Sequence, residues 1–133
     1  MSIKKHWIYK NLHLLISTLV VVPTGIIYGS PLILQKQLNI NVNTIDLSNM
    51  LKAIMCLYLG ISFIWMLGVL KSNYWKRATE LNILFMLTLA LGRILSMIID
   101  GLPTTGYVFG VIAELVLGFY SIYQLKKYSN NAY

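Results

Sequence analysis

Four long runs of apolar residues limit what this chain can fold into more than any other feature of its sequence. Each run approaches or exceeds the roughly 20 residues that a helix needs to cross the hydrocarbon core of a bilayer. The runs cover residues 11–29, 51–70, 80–100 and 104–125. Only 11% of the 133 residues are charged, against about 25% in soluble domains. The sequence therefore predicts an all-α fold, a transmembrane four-helix bundle that forms a single integral membrane domain over residues 1–133.

The first run follows a basic segment, a layout that also resembles a secretory signal peptide. The run continues past Val22 through Pro23, and no A-x-A cleavage motif follows it. We therefore expect an uncleaved first span. Cys56 is the single cysteine, which excludes an intramolecular disulfide or a thiolate metal site, and its apolar run predicts a small buried side chain.

The connections between the runs are short except for an extracytoplasmic loop over residues 30–50. Residues 31–34 are apolar but too short to span, so we expect a partial helix in the membrane interface. Asp46 or Ser48 is the predicted N-cap of the second long helix. Residues 71–77 are basic and aromatic, which is typical of a connector at the headgroup level.

Cations are distributed unequally between the two sides of the predicted bundle. The N-terminus, the second connector and the C-terminus hold eight of them: Lys4, Lys5, Lys10, Lys71, Lys76, Arg77, Lys126 and Lys127. The opposite side holds only Lys36 and Lys52. Because cytoplasmic loops collect Lys and Arg, both termini are predicted to be cytoplasmic, and the net charge of +7 needs no nucleic-acid partner. Interfacial belts are predicted for Trp7, Tyr9, Tyr74, Trp75, Tyr123 and Tyr128.

Two charged residues interrupt the apolar runs, Arg93 in the third and Glu114 in the fourth. A charge near the bilayer centre costs about 2.5–3.5 kcal/mol even on insertion scales, so such residues are paired or line a cavity. The third and fourth helices are joined near Leu102, and residues whose numbers add to about 205 lie at one depth in this antiparallel hairpin. Arg93 and Glu114 meet this condition, so we expect them to form an ion pair.

Further polar side chains fall on the same faces and on the outer half of the bundle. On the fourth helix, Gly106, Gly110 and Gly118 share the four-residue spacing of Glu114, which predicts a helix-contact face. Lys52 and Asp100 lie near the outer mouth. The candidate ligand-binding residues are Arg93, Glu114, Asp100, Lys52, Ser96, Tyr58, Tyr107 and Tyr28.

Three roles stay open for this cluster: a structural ion pair that fixes helix register, a ligand or substrate site, and a proton or ion pathway. His13, near the inner end, is expected to be a headgroup or core contact rather than a ligand. Nucleotide-binding, metal-hydrolase and nucleophile-elbow motifs are absent, so we expect no cofactor and no metal site. Any catalysis would be acid–base chemistry by Glu114 or Asp100, with Arg93 stabilising charge.

Two segments carry a recognisable signature. The first is residues 92–103, with Arg93, Asp100 and Gly101, and the second is residues 114–118, which begin with Glu114. The signature resembles that of a bacterial family of small four-span inner-membrane proteins, catalogued only as a domain of unknown function. Residues 48–60 are similar as well, with Lys52 where the family tends to have Arg. The resemblance covers about residues 10–125. It implies the fold and a location in the bacterial inner membrane, and it transfers no activity.

Two functions follow as hypotheses. The first is non-catalytic: a protein that binds a lipid-like or other apolar ligand, or an accessory subunit of a membrane complex or homo-oligomer. The second is a membrane-embedded enzyme that uses acid–base chemistry on a lipid-like or isoprenoid substrate, comparable in architecture to four-helix sterol isomerases. An enzyme needs an enclosed pocket of about 300 Å³ or more lined by the acids. A filled bundle in which Arg93 and Glu114 bond to each other favours the first hypothesis.

Overall fold

The computed structural model of the chain describes residues 3–129, with side chains from residue 6 to residue 128. It contains five helices in this part of the chain: α1 (Ile3–Gly29), α2 (Pro31–Leu38), α3 (Ile45–Leu70), α4 (Ser72–Ile99) and α5 (Thr105–Ser129). No strand occurs in the described range. The predicted all-α fold is confirmed.

Four of the helices are long and apolar enough to cross a membrane. The candidate spans are His6–Gly29, Ile45–Leu70, Ser72–Ile99 and Thr105–Tyr128. Many of their large apolar side chains face outward, such as Leu19, Phe63, Leu84 and Phe109. In water this surface would be unstable, whereas lipid tails solvate it without cost. These four helices indicate a membrane protein.

Small residues allow the long helices to approach one another closely. On the α1–α3 interface, a Cβ atom at Gly25 would lie 2.9 Å from the Cβ of Tyr58. Gly68 of α3 packs directly against Ala78 of α4, and Gly118 of α5 packs against Leu87 of α4. In lipid there is no hydrophobic drive between helices, so this dispersion contact is a main source of their association.

Aromatic rings fill the centre of the bundle. The ring of Phe85 lies 5.1 Å from that of Tyr58 and 5.5 Å from that of Trp65, both edge to face. Trp65 is fully buried. Such pairs contribute about 0.5–1.5 kcal/mol beyond the area that they bury, and they fix how α3 sits on α4.

Several predicted boundaries differ from the structure because polar residues continue the helices beyond the apolar runs. α3 begins at Ile45, and its N-cap is Thr44, whose hydroxyl accepts from the Leu47 N–H at 3.1 Å. The predicted caps Asp46 and Ser48 are wrong, since both lie inside the helix. The predicted connector at residues 71–77 is helical from Ser72 onward. The partial helix expected after residue 30 is confirmed as α2.

Three side chains are placed differently from the prediction. Cys56 is exposed on the outside of the bundle rather than buried. An apolar run in a membrane helix contains lipid-facing as well as core positions, so the run alone cannot distinguish them. Trp75 and Tyr128, predicted as interfacial belt residues, are buried against each other with ring centroids 6.2 Å apart.

Candidate functional site

The ion pair predicted between the third and fourth spans is present. Nε of Arg93 on α4 donates to Oε1 of Glu114 on α5 at 2.9 Å. The two side chains retain 19% and 11% of their accessible surface. Because α4 and α5 are antiparallel neighbours joined by a short turn, residues at one depth lie side by side, and the contact could be predicted from the sequence.

Three tyrosines, one each from α1, α3 and α5, surround the guanidinium. Nη2 of Arg93 donates to the hydroxyl of Tyr28 on α1 at 3.2 Å. The ring of Tyr107 lies 5.2 Å from the guanidinium carbon, within the range of a cation–π interaction. Tyr58 of α3 packs edge to face on Tyr28 at 5.7 Å. Arg93 therefore connects all four long helices directly or through one intervening ring.

A cavity of about 210 Å³ opens beside this cluster. Its walls are apolar side chains of α1, α4 and α5, among them Val20, Ile27, Met86, Leu89 and Leu117. Gln37 and Leu38 of α2 line it at the end nearest the turn between α4 and α5. Arg93, Glu114 and the three tyrosines form its polar end. We call this space the outer cavity, because the charge pattern of the sequence predicts this end of the bundle to be extracytoplasmic.

The polar end of the outer cavity retains hydrogen-bonding capacity. Oε2 of Glu114 is buried and has no hydrogen-bond partner among the described residues. On the other side of the pair, a Cβ atom at Gly110 would lie 4.0 Å from Nη1 of Arg93. Gly110 lines the cavity, and its missing side chain leaves space beside Nη1. A buried carboxylate oxygen without a described partner and a guanidinium therefore lie at the end of an apolar space.

Three of the predicted site residues do not join this cluster. Nζ of Lys52 donates to Ser48 at 2.6 Å, and the hydroxyl of Ser96 donates to Asp100 at 2.8 Å. Lys52, Ser96 and Asp100 are all exposed, and none lines the outer cavity. Equal depth in two helices does not make their side chains face each other, so these three residues lie apart from the outer cavity.

His13 is a core contact. Its Nε2 lies 2.9 Å from the hydroxyl of Thr79 on α4, and its ring packs edge to face on Trp75 at 5.9 Å. The side chain is fully buried. No group of three or more His, Cys, Asp or Glu side chains that could hold a metal ion occurs among residues 6–128.

The contribution of α2 to the site was not predicted from the sequence. Gln37 and Leu38 follow the apolar run that predicted the short helix, and the Gly29-Ser30-Pro31 turn folds α2 back toward the bundle. The amphipathic pattern of residues 31–38 was the available signal. It places apolar residues on one helix face, and Leu34 on that face is fully buried.

Four long apolar helices around one intramembrane ion pair define a small multi-pass membrane protein. Residues 9–125 match the family model described as Domain of unknown function (DUF4345), and the chain belongs to this family. The predicted membership in a family of unknown function is therefore confirmed. No curated protein and no solved structure matches the chain.

Proposed function

We propose that this protein binds a lipid-like molecule in the outer cavity without chemically altering it. The observation that carries the proposal is an apolar cavity of about 210 Å³ that ends at the Arg93–Glu114 pair. Ligand sites combine apolar walls with a few convergent polar groups in this way. The polar groups orient the ligand and the walls provide the affinity.

The proposed ligand carries an uncharged head that can both donate and accept a hydrogen bond. Arg93 offers donors, and Oε2 of Glu114 offers an acceptor that has no partner among the described residues. The pair has no net charge, so a charged head would add an uncompensated charge inside the membrane at high cost. A hydroxyl group meets these conditions, as in a long-chain or isoprenoid alcohol.

The volume of the outer cavity limits how much of the ligand it encloses. Drug-sized pockets measure about 300–1,000 Å³, and this cavity is smaller at about 210 Å³. It accommodates the head and the first part of a chain, and the remainder would extend into the surrounding lipid. The small volume and the closed ion pair both favour binding over the alternative of acid–base catalysis by Glu114.

The proposal includes a location in the bacterial plasma membrane with both termini cytoplasmic. Its support is the charge pattern of the chain. Lys10, Lys71, Lys76, Arg77, Lys126 and Lys127 lie at the end of the bundle opposite the outer cavity. Exposed apolar side chains on every long helix are what lipid-facing helices require, so they do not by themselves indicate a partner subunit.

A cavity-filling variant tests the proposal without removing a charge. Gly110→Leu places a side chain into the outer cavity beside Arg93, whereas Gly92→Leu adds the same side chain at an α4 position with nothing within 4 Å. The probes are dodecanol and dodecane, which share a chain and differ in the head. We expect dodecanol to raise the midpoint of thermal unfolding in detergent for wild type and Gly92→Leu, but not for Gly110→Leu.

Dodecane should have a smaller effect than dodecanol on the wild-type protein. If both compounds stabilise all three proteins equally, they act as co-solvents of the detergent micelle and the outer cavity has no binding role. Co-purified lipid identified by native mass spectrometry should likewise be lost from Gly110→Leu and retained by Gly92→Leu.

A further inference from the structure

A second pocket lies at the opposite end of the bundle, between the first turns of α1 and the last turns of α5. Its volume is about 350 Å³. We call it the inner pocket, and its lining residues are Tyr9, Tyr120, Tyr123, Gln124, Lys127 and Tyr128. Lys127 is 13 residues beyond Glu114 on α5, which separates the two sites by about 20 Å at 1.5 Å per residue.

Gln124 holds the walls of the inner pocket in place. Its side chain is 3% exposed, and its Nε2 donates to the backbone carbonyl of Tyr9 at 2.9 Å and to the hydroxyl of Tyr120 at 2.6 Å. The rings of Tyr120 and Tyr123 are stacked with centroids 6.5 Å apart. These contacts fix α1 against α5, so the inner pocket is formed before any ligand arrives.

The inner pocket combines phenol groups with an ammonium group. Nζ of Lys127 lies 5.5 Å from the ring centroid of Tyr123 and 5.4 Å from that of Tyr128, so both rings orient the ammonium group. Phenol hydroxyls and an ammonium group are hydrogen-bond donors that suit anionic oxygens. The inner pocket thus carries a positive charge, whereas the ion pair of the outer cavity has no net charge.

The surrounding charges support an anionic ligand. Lys10 and Lys126 lie at the same end of the bundle, and Glu80 is the acidic side chain of α4 at about this depth. Glu80 is exposed and forms no ion pair with a described residue. α1 begins and α5 ends at this level, so their helix dipoles offset each other and the lysines determine the local potential.

We propose that the inner pocket binds a phosphate-bearing anion, with Lys127 and the tyrosine hydroxyls as donors. The pocket lies at the ends of two membrane-spanning helices, which is the depth of lipid head groups. Basic pockets between membrane helices bind anionic head groups in this way. The phosphate group could belong to an anionic phospholipid or be free inorganic phosphate.

The test compares adjacent lysines in the purified full-length protein. Lys127→Ala removes the ammonium group from the inner pocket, and Lys126→Ala removes the same charge from the next residue, which does not line it. Binding of phosphatidylglycerol and phosphatidylcholine in mixed micelles is measured by native mass spectrometry. We expect wild type to retain phosphatidylglycerol preferentially, and Lys127→Ala to weaken its binding about fivefold or more beyond the effect of Lys126→Ala.

A second variant, Tyr123→Phe, keeps the ring and removes the hydroxyl, and it should also reduce the preference for phosphatidylglycerol. Competition by millimolar inorganic phosphate would assign the inner pocket to the soluble anion, and retained lipid selectivity without competition would assign it to the head group. Both results support an anion pocket. Equal retention of the two lipids by wild type, or equal losses in the two lysine variants, would overturn it.

Discussion

Replacing Glu114 with alanine should destabilise the bundle more than any comparable change at an exposed acid. Glu114→Ala removes the carboxylate that Nε of Arg93 contacts at 2.9 Å and leaves the guanidinium within the membrane-spanning part of α4. Breaking a fully buried pair in this way costs about 3–5 kcal/mol. The Arg93 side chain keeps 19% of its surface and a bond to Tyr28, which reduces the penalty. We therefore expect a loss of about 2–3 kcal/mol in the free energy of unfolding.

For a chain of this length, each kcal/mol changes the unfolding midpoint by about 4 °C, so the expected decrease is about 8–12 °C. The assay is thermal unfolding in detergent, followed by the fluorescence of the buried tryptophans Trp65 and Trp75. Asp100→Ala is the matched control. Asp100 is exposed and accepts one described side-chain hydrogen bond, from Ser96, so the midpoint should fall by less than about 3 °C.

A double variant distinguishes two causes of the lost stability, an unpaired buried charge and lost side-chain packing. Arg93→Met combined with Glu114→Leu replaces both partners by apolar side chains, and such replacements of buried pairs are often neutral. The double variant should therefore be more stable than Glu114→Ala alone. Equal midpoints for wild type and Glu114→Ala would refute the reasoning, because the ion pair would then contribute nothing to the association of α4 with α5.

Two further changes test the packing of the bundle. Thr79→Val removes the hydroxyl that pairs with His13 and should cost about 1–3 kcal/mol in denaturant or thermal unfolding, whereas Thr88→Val, whose hydroxyl is exposed and bonds its own helix, should cost little. Gly68→Ala places a methyl against Ala78 and should destabilise by about 1–3 kcal/mol. Gly60→Ala meets nothing within 4 Å and should leave the unfolding midpoint unchanged or slightly raised. Equal effects within either pair would contradict the packing described.

The features that could be predicted from the sequence depend on the length of a helix or on the depth of a residue in the membrane. Four apolar runs predict four long helices because the bilayer sets one minimum length for all of them. The contact between Arg93 and Glu114 was predictable because a short turn fixes the depth of each residue in the α4–α5 hairpin. The tyrosine partner Tyr28 was also among the predicted residues.

The direction in which each side chain points from its helix axis could not be predicted in the same way. In a membrane helix, apolar residues face both the core and the lipid, so hydrophobic periodicity does not reveal the buried face. This is why Cys56 was expected inside and lies outside, and why Lys52 and Asp100 were expected to join the cluster and do not. The wall that α2 contributes to the outer cavity was not predicted, because the apolar face of residues 31–38 indicates that the helix packs on the bundle but not where it packs.

The Arg93 cluster serves the fold and the proposed site at once, which determines how its function can be studied. Arg93 joins α4 to α5 through Glu114 and to α1 through Tyr28, and these groups also form the polar end of the outer cavity. Removing any of them is expected to lower stability whether or not a ligand binds, so a loss of ligand binding in such variants does not assign a binding role. Gly110 is the position that separates the two contributions, because it lines the cavity and a Cβ atom there would meet Arg93 only at van der Waals distance, so a larger side chain enters the cavity without removing either charged partner.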